Sequence, residues 1–206
     1  MEFLVNSKLE EYLENLSVEE DPIVLEMEKY AKEKDFPIIG REGGRLLYLL
    51  TRLKNPRLVV EIGSGFGYSA YWFAKGLKKG KVVLIDYQEK NINLAKEFFT
   101  KAKLLDKVEF RVGDAIEIGQ EYKNIDILFL DLEKAKYMKA IKTLEKNLSP
   151  DGIVIADNVL FQGKVLFEPE NKKAKILNQF NKYMFENYFS VILPIRDGIL
   201  VAVKKS

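Results

Sequence analysis

The segment RLVVEIGSGFGYSA, residues 57–70, passes from an apolar run through three glycines into a stretch that favours helix. An apolar strand, a glycine turn and a helix are typical of the first unit of a doubly wound α/β sheet. Four more apolar runs follow, separated by amphipathic segments: VVLID, VEFRV, ILFLD and IVIAD. Continuous apolar strands that alternate with helices predict a parallel sheet covered on both faces.

The last two apolar runs, FSVILPI at 189–195 and ILVAVKK at 199–205, have only the tripeptide RDG between them. Strands joined by so short a turn are antiparallel, so the sheet should end in a reversed hairpin. Within the preceding part, the pattern predicts a helix over 134–147 and a turn at SPDG, residues 149–152.

The part of the chain before the sheet reads as helical. The pattern predicts helices at 7–16 and 22–34, a glycine-marked loop at 36–44 and a short helix at 45–53. We expect one domain over 1–206, in which 1–55 form a helical N-terminal extension and 56–206 form the α/β core.

Composition narrows the possible chemistry. The 206 residues carry a net charge of +2 and include neither Cys nor His. Disulfides, zinc thiolate sites, cysteine nucleophiles and histidine bases are therefore excluded, and Asp, Glu, Lys, Tyr, Ser or a bound ion must act instead. The N-terminus lacks the pattern of a signal peptide, and no apolar run has membrane-spanning length, so we expect a soluble cytoplasmic protein.

The glycine turn is a candidate ligand site because a loop of this kind brings backbone N–H groups close to a ligand. Gly63, Gly65 and Gly67 form G-x-G-x-G, whereas a dinucleotide fingerprint would need its third glycine at position 68, which is Tyr68. Glu61, just before the loop, suits a ligand with a positive centre. The alternative is that the glycines only permit a tight turn.

Acidic residues also end the next two strands. Asp86 can accept hydrogen bonds from both ribose hydroxyls, and Asp114 can accept one from an exocyclic amine. Either residue could instead cap the helix that follows it. Together with Glu61, they favour an adenosine ligand that also carries a cationic or ammonium group.

Oxygen-bearing side chains follow the fourth and fifth strands. Asp131, Asp157 and Asn158 should meet at one sheet edge, where hard cations such as Mg²⁺ or Ca²⁺ prefer oxygen ligands. Lys134, three residues beyond Asp131, could lie over such a site, and a nearby cation would lower its pKa enough for it to act as a base. The alternatives are a helix cap at Asp131, an ordinary turn at 157–158 and a solvated surface lysine.

The segments VVEIGSGFGYSA, FLDLEK, IADNVL and LPIRDGILVAVKK resemble the cation-dependent O-methyltransferases of the catechol and caffeoyl-coenzyme A type. The resemblance runs from about residue 37 to the C-terminus. It implies a class I methyltransferase fold: a Rossmann-like, seven-stranded, mostly parallel sheet with a reversed C-terminal hairpin and helices on both faces.

The resemblance also implies site residues. S-adenosylmethionine would be bound by Ile39, Glu61, Gly63, Ser69, Asp86, Asp114 and Asp131. A divalent cation, Mg²⁺ or alternatively Mn²⁺ or Ca²⁺, would be held by Asp131, Asp157 and Asn158, with Lys134 as the base and Asp131 shared between cofactor and cation. The chain departs from the usual family pattern at Leu132, Glu133, Phe161 and 162–170, which puts the acceptor in doubt.

The expected activity is methyl transfer to one oxygen of a vicinal dihydroxy aromatic, a small phenolic acceptor. An alternative acceptor is a 5-hydroxyuridine in tRNA, with Lys172, Lys173 and Lys175 meeting phosphate. A second alternative is a non-catalytic adenosine-binding or assembly protein. The resemblance suggests a homodimer, and no membrane partner is expected.

Overall fold

The structure, a computed structural model, describes residues 7–205, so the predicted absence of a signal peptide falls outside the described part. Its centre is one sheet whose strands are β1 Leu58–Ile62, β2 Lys81–Asp86, β3 Val108–Val112, β4 Ile125–Leu130, β5 Leu148–Ala156, β6 Tyr188–Leu193 and β7 Ile199–Lys204. Their order is β3-β2-β1-β4-β5-β7-β6.

The direction of the strands follows the sequence prediction. Strands β1 to β5 are parallel, and β7 runs antiparallel to both β5 and β6. The register pairs Ala156 of β5 with Leu200 of β7. The start of β7, and with it the turn that precedes it, therefore lies at the carboxyl end of β5. The predicted fold class, including the reversed hairpin, is confirmed.

The helices cover both faces of the sheet. They are α1 Ser7–Leu16, α2 Pro22–Glu33, α3 Gly40–Lys54, α4 Tyr68–Gly76, α5 Glu89–Lys101, α6 Ala115–Gly119, α7 Tyr137–Leu144, α8 Lys164–Phe167 and α9 Lys172–Asn187. Helices α2 to α5 enclose one apolar core, which includes Met27, Leu47 and Phe73. Helices α6, α7 and α9 enclose the other, which includes Ile141 and Phe180.

Local sequence explains where α2 begins. The side chain of Asp21 accepts a hydrogen bond of 2.9 Å from the backbone N–H of Ile23, and Pro22 occupies the first turn. Proline fits there because its missing N–H would have no partner within the helix.

Three sequence predictions are wrong in detail. The loop predicted at 36–44 ends early because α3 begins at Gly40. The turn predicted at 149–152 lies inside β5, beside an irregularity in its pairing with β4. The helix predicted over 134–147 starts as a 3₁₀ turn at Lys134–Lys136 and becomes α-helical only at Tyr137.

Close helix packing explains the first of these errors. A Cβ atom at Gly44 would lie 2.2 Å from Nε1 of Trp72, which belongs to α4. Glycine is thus used within α3 because a side chain would push the two helices apart, and the sequence gives no sign of that neighbour. None of the helices within residues 7–205 is long and apolar enough to cross a membrane.

We expect Gly44→Ala to destabilise the protein by about 1–3 kcal/mol, the usual cost of overpacking a core. In an exposed helix the same change would be stabilising, because Ala has the higher helix propensity. Urea denaturation followed by circular dichroism measures the difference. Arg52→Ala, at an exposed position of the same helix, is the control, and equal stability of the two variants would contradict the packing argument.

Candidate active site

Backbone hydrogen bonds align the carboxyl ends of three central strands. The N–H of Asp131 donates to the carbonyl of Ile62 at 3.0 Å, and the N–H of Asp157 donates to that of Leu130 at 3.1 Å. The residues that follow β1, β4 and β5 are therefore held side by side. This is the edge at which open α/β sheets bind their ligands.

A cavity of about 740 Å³ opens at this edge. The predicted cofactor residues that line it are Ile39, Gly63, Ser69, Asp86, Asp114 and Asp131. The sequence analysis missed other residues of the lining, among them Phe36, Tyr87, Ile116 and Lys136. Tyr87 directly follows Asp86 and is 80% exposed, so its ring is available to a flat ligand.

The glycine turn after β1 requires glycine for two reasons: a positive φ angle and close approach to the backbone that follows β4. Gly63 has φ +92°, and a Cβ atom there would lie 2.1 Å from the carbonyl oxygen of Asp131. The N–H of Gly65 donates to Oδ2 of Asp86 at 2.9 Å. Glycine at 63 is thus required for β1 and β4 to end next to each other, and the same turn lines the cavity.

Of the two acidic residues at the ends of β2 and β3, Asp114 is a helix cap, whereas Asp86, the last residue of β2, caps no helix. Oδ1 of Asp114 accepts from the N–H groups of Ile116 and Glu117, so it caps α6. Oδ1 of Asp86 accepts from Asn91 Nδ2 at 3.0 Å. Both residues also line the cavity, so these hydrogen bonds orient the two carboxylates without removing them from the ligand space.

Glu61 lies beneath the cavity and is fully buried. The Ser69 hydroxyl donates a hydrogen bond to Oε1 of Glu61, whereas Oε2 has no hydrogen-bond partner within the described chain. Burial raises the pKa of Glu61 to about 8. A buried carboxylate with an unpaired oxygen is costly, so this position favours a positively charged ligand nearby.

Asp131 and Asp157 form a pair of carboxylates at the ends of neighbouring strands. Burial, and then the charge of Asp157, raise the pKa of Asp131. Burial also raises the pKa of Asp157, which is 4% exposed, and the N–H of Asn158 opposes that rise by donating to it at 2.8 Å. Asp131 is not a helix cap, because the 3₁₀ turn that follows begins after Glu133.

The donor set at this pair suits a hard cation. Within residues 7–205, no three Asp, Glu, His or Cys side chains are grouped so as to hold a metal by themselves. The predicted set has only two carboxylates, with the Asn158 amide as third ligand, and such a cation keeps water or substrate in its remaining positions. In addition to burial, the charge of Asp157 raises the pKa of Asp131 because the two carboxylates repel each other, and a bound cation would offset this repulsion.

Lys134 lies close to these carboxylates but does not line the cavity, whereas Lys136 does. Its charge lowers the pKa of Asp131 and of Asp197, although in both carboxyl groups the larger effect of burial raises it. Its Nζ is 5.7 Å from the centre of the Phe161 ring. The predicted position one turn into a helix is wrong, since Lys134 begins the 3₁₀ turn, but the predicted proximity to Asp131 and Asp157 is found.

On the side of the site formed by the β6–β7 turn are two residues that the sequence analysis did not select, Arg196 and Asp197. Oδ1 of Asp197, in the β6–β7 turn, accepts a hydrogen bond from the N–H of Gln162. Asn158, Phe161, Gln162 and Arg196 all have φ between +48° and +54°. Non-glycine residues in this conformation are strained and tend to cluster at functional sites. The register of β7 against β5 is the signal that would have placed Asp197 here.

A family model described as O-methyltransferase matches residues 14–205. The chain belongs to the O-methyltransferase family. Among curated relatives, the chain is 29% identical over 174 residues to a catechol O-methyltransferase of Niastella koreensis, covering 81% of this chain and 79% of that one. It is 28% identical to caffeoyl-CoA O-methyltransferase 2 of Petunia hybrida, with 76% and 72% covered.

Solved structures agree with this O-methyltransferase assignment. A methyltransferase from Geobacter sulfurreducens is 33% identical, with a TM-score of 0.86 and 99% and 100% of the two chains covered. An O-methyltransferase from Bacillus cereus in complex with SAH is 25% identical, with a TM-score of 0.84 and 96% and 97% covered. The family resemblance and the enzyme class predicted from the sequence are confirmed.

The raised pKa of Glu61 predicts a pH dependence of the free energy of unfolding. The unfolded chain loses this proton near pH 4.5 and the folded O-methyltransferase only near pH 8, so between these values the folded state binds more protons and stability falls as pH rises. One such group contributes a slope of about 1.4 kcal/mol per pH unit.

Glu61→Gln removes this titration and keeps an acceptor for the Ser69 hydroxyl. We therefore expect the unfolding free energy of wild type minus that of the variant to fall between pH 5 and pH 8. Urea titrations at several pH values measure the difference. A difference that is constant across this range would show that Glu61 is ionised in the folded protein.

Proposed function

We propose that this O-methyltransferase transfers the methyl group of S-adenosylmethionine to one oxygen of a vicinal dihydroxy aromatic, with the help of a divalent cation. The observation that carries the proposal is the position of Asp131. Asp131 lines the cofactor cavity, and its pKa is raised by burial and then by the charge of Asp157 at the end of the next strand. A methyl donor and an oxygen acceptor on either side of Asp131 would be close enough to react.

Several features of the cavity favour S-adenosylmethionine. Asp86 is oriented by Gly65 and Asn91 toward the space where ribose hydroxyls would lie. Tyr87 and Ile116 offer apolar surface to an adenine ring. A cationic ligand would favour the ionised forms of Glu61 and Asp131, whose negative charges would then offset those of its sulfonium and ammonium groups. The relative from Bacillus cereus was solved with the demethylated form of this cofactor.

Asp131, Asp157 and Asn158 are the residues that would hold a magnesium-type cation. Such an ion, when bound, lowers the pKa of a phenolic hydroxyl and acts as a Lewis acid toward it. The chain itself contributes the rigidity of the site. The Tyr137 hydroxyl donates to the Asp157 carbonyl at 2.8 Å, which fixes the end of β5 against the start of α7.

Lys134 is proposed as the general base. The proposal is supported by the effect of the Lys134 charge, which opposes the rise in pKa that burial causes at Asp131, Asp157 and Asp197, and by the absence of Lys134 from the lining of the cofactor cavity. In its unprotonated form it can take the hydroxyl proton as the oxygen attacks the methyl carbon. The remaining rate enhancement would come from holding donor and acceptor in line.

A phenolic acceptor is favoured over tRNA. Lys172, Lys173 and Lys175 are all exposed at the start of α9, and none of them lines the cofactor cavity. They read as a solvated helix face, and the net charge of +2 adds no general attraction to nucleic acid. The homodimer suggested by the family remains a prediction.

Methyl transfer to a catechol should depend on a divalent cation. With labelled S-adenosylmethionine and caffeate, we expect EDTA to abolish product formation, because without the cation the acceptor hydroxyl is no longer acidified. Added Mg²⁺ should restore product formation. Thin-layer separation of labelled product gives the rate. Full activity in EDTA would eliminate the cation role, and labelling of tRNA instead of caffeate would replace the acceptor.

Lys134→Ala should lower kcat by about 10²–10⁴, the range for loss of a general base. Part of the loss should be recovered at higher pH, where the phenol ionises by itself. The affinity for S-adenosylhomocysteine, measured by calorimetry, should be nearly unchanged. Lys139→Ala, at an exposed position on α7, is the matched control. If Lys134→Ala retains wild-type kcat at neutral pH, Lys134 is not the base.

A further inference from the structure

A second cavity, of about 370 Å³, lies beside the cofactor cavity and shares Ile38 with it. Helix α2, the start of α3 and the β6–β7 turn form its walls. Charged side chains dominate the lining: Glu28, Lys32, Arg41, Glu42 and Arg196. The proposed methyl transfer makes no use of these five residues.

Two of the charged groups are already paired. Arg41 binds Glu28 through two nitrogens, with Nη2 to Oε2 at 2.6 Å and Nε to Oε1 at 3.2 Å. The Tyr68 hydroxyl also donates to Glu28, at 2.9 Å. Arg41 and Tyr68 are thus both hydrogen-bonded to Glu28, and Arg41 and Glu28 form one wall of the cavity. The other charged side chains of the lining remain available to a ligand.

The charged groups of the cavity that are not paired with each other are two cations, Arg196 and Lys32, and one carboxylate, Glu42. Neither Arg196 nor Lys32 has a side-chain hydrogen bond or ion pair with any residue of the described chain, and both are exposed. Against them stands Glu42, whose Oε1 is buried and has no partner among residues 7–205. Two cations and one carboxylate leave the cavity with a positive excess, which favours an anionic ligand.

The backbone around Arg196 is arranged to place this side chain in the cavity. Arg196 has φ +50°, a left-handed conformation that an arginine adopts only at a cost. Its guanidinium lies across Gly40, where a Cβ atom would be 2.6 Å from Nη1. The left-handed backbone of Arg196 and the absence of a side chain at Gly40 together allow the guanidinium to lie in the cavity.

The β6–β7 turn that carries Arg196 also adjoins the loop after β5, on the acceptor side of the site. Burial raises the pKa of Asp157, and the N–H of Asn158 and the charges of Arg196 and Lys134 oppose that rise. Arg196 is followed directly by Asp197, whose carboxylate holds the loop at Gln162. The N–H groups of Val159 and Leu160 donate to the carbonyls of Gly198 and Asp197 at 3.0 and 2.9 Å, so the turn that carries Arg196 is bound to the loop that would meet the acceptor.

We propose that the second cavity is a subsite for a carboxylate on the acceptor and that Arg196 is its specificity-determining residue. The planar guanidinium matches a carboxylate with two parallel hydrogen bonds, and Lys32 adds a second positive charge. The preferred acceptor is then a vicinal dihydroxy aromatic with an acidic side chain. This inference rests on the proposed function, since it extends the same acceptor site.

Three acceptors with the same dihydroxy ring and different side-chain charge test the subsite: caffeate, its methyl ester and dopamine. We expect wild type to have its lowest KM for caffeate and its highest for dopamine. Arg196→Gln should reduce the preference for caffeate over the ester by about tenfold, the effect of one lost charge-assisted hydrogen bond. Arg196→Lys should give an intermediate ratio, and Arg52→Gln, which lines neither cavity, should keep the wild-type ratio.

Calorimetric binding of the three acceptors, with S-adenosylhomocysteine present, separates this inference from the proposed function. If wild type methylates none of them, the proposed function fails, and the subsite is then judged by binding alone. Tighter binding of caffeate than of its ester, lost in Arg196→Gln, supports the subsite. Equal affinity for the three acceptors, or an equal change for caffeate and its ester in Arg196→Gln, overturns it.

Discussion

Two carboxylates that repel each other, Asp131 and Asp157, are held at adjacent strand ends by backbone hydrogen bonds from their own N–H groups to β1 and β4. The side chains cannot separate without breaking the sheet at its centre. Burial in this position disfavours their charged forms. The folded chain therefore has an electrostatic cost at this point, which the charge of Lys134 reduces at both carboxyl groups and the N–H of Asn158 reduces at Asp157.

The contact between Gly63 and the carbonyl of Asp131 links this pair to the nucleoside side of the site. Because no side chain fits at Gly63, the turn after β1 and the residue after β4 form a continuous floor. Asp131 is part of that floor and of the carboxylate pair. A ligand in the cavity and a second ligand at the Asp131–Asp157 pair would therefore both contact Asp131. Group transfer between two ligands requires that they be held this close together.

The two sides of the site are built in different ways. The side proposed to hold the nucleoside is formed by a glycine turn, a helix cap at Asp114 and an oriented carboxylate at Asp86. The acceptor side is made from the loop after β5 and the β6–β7 turn, where the left-handed residues Phe161, Gln162 and Arg196 are found. Regular elements preserve a common cofactor pocket, while irregular loops can vary in side chain and shape, so acceptor preference should reside there.

The sequence alone was enough to predict the parallel sheet, its reversed hairpin, the glycine turn and the acidic residues at the strand ends. Each depends on local periodicity or on the rule that the carboxyl ends of parallel strands share an edge. It did not determine that Gly40 and Gly44 lie within a helix, that Asp197 and Arg196 adjoin Asp157, or that Glu61 is buried with an unpaired oxygen. These facts depend on contacts between residues far apart in the chain. Only the packing of α3 on α4 and the register of β7 on β5 bring those residues together, and neither leaves a mark in the local pattern.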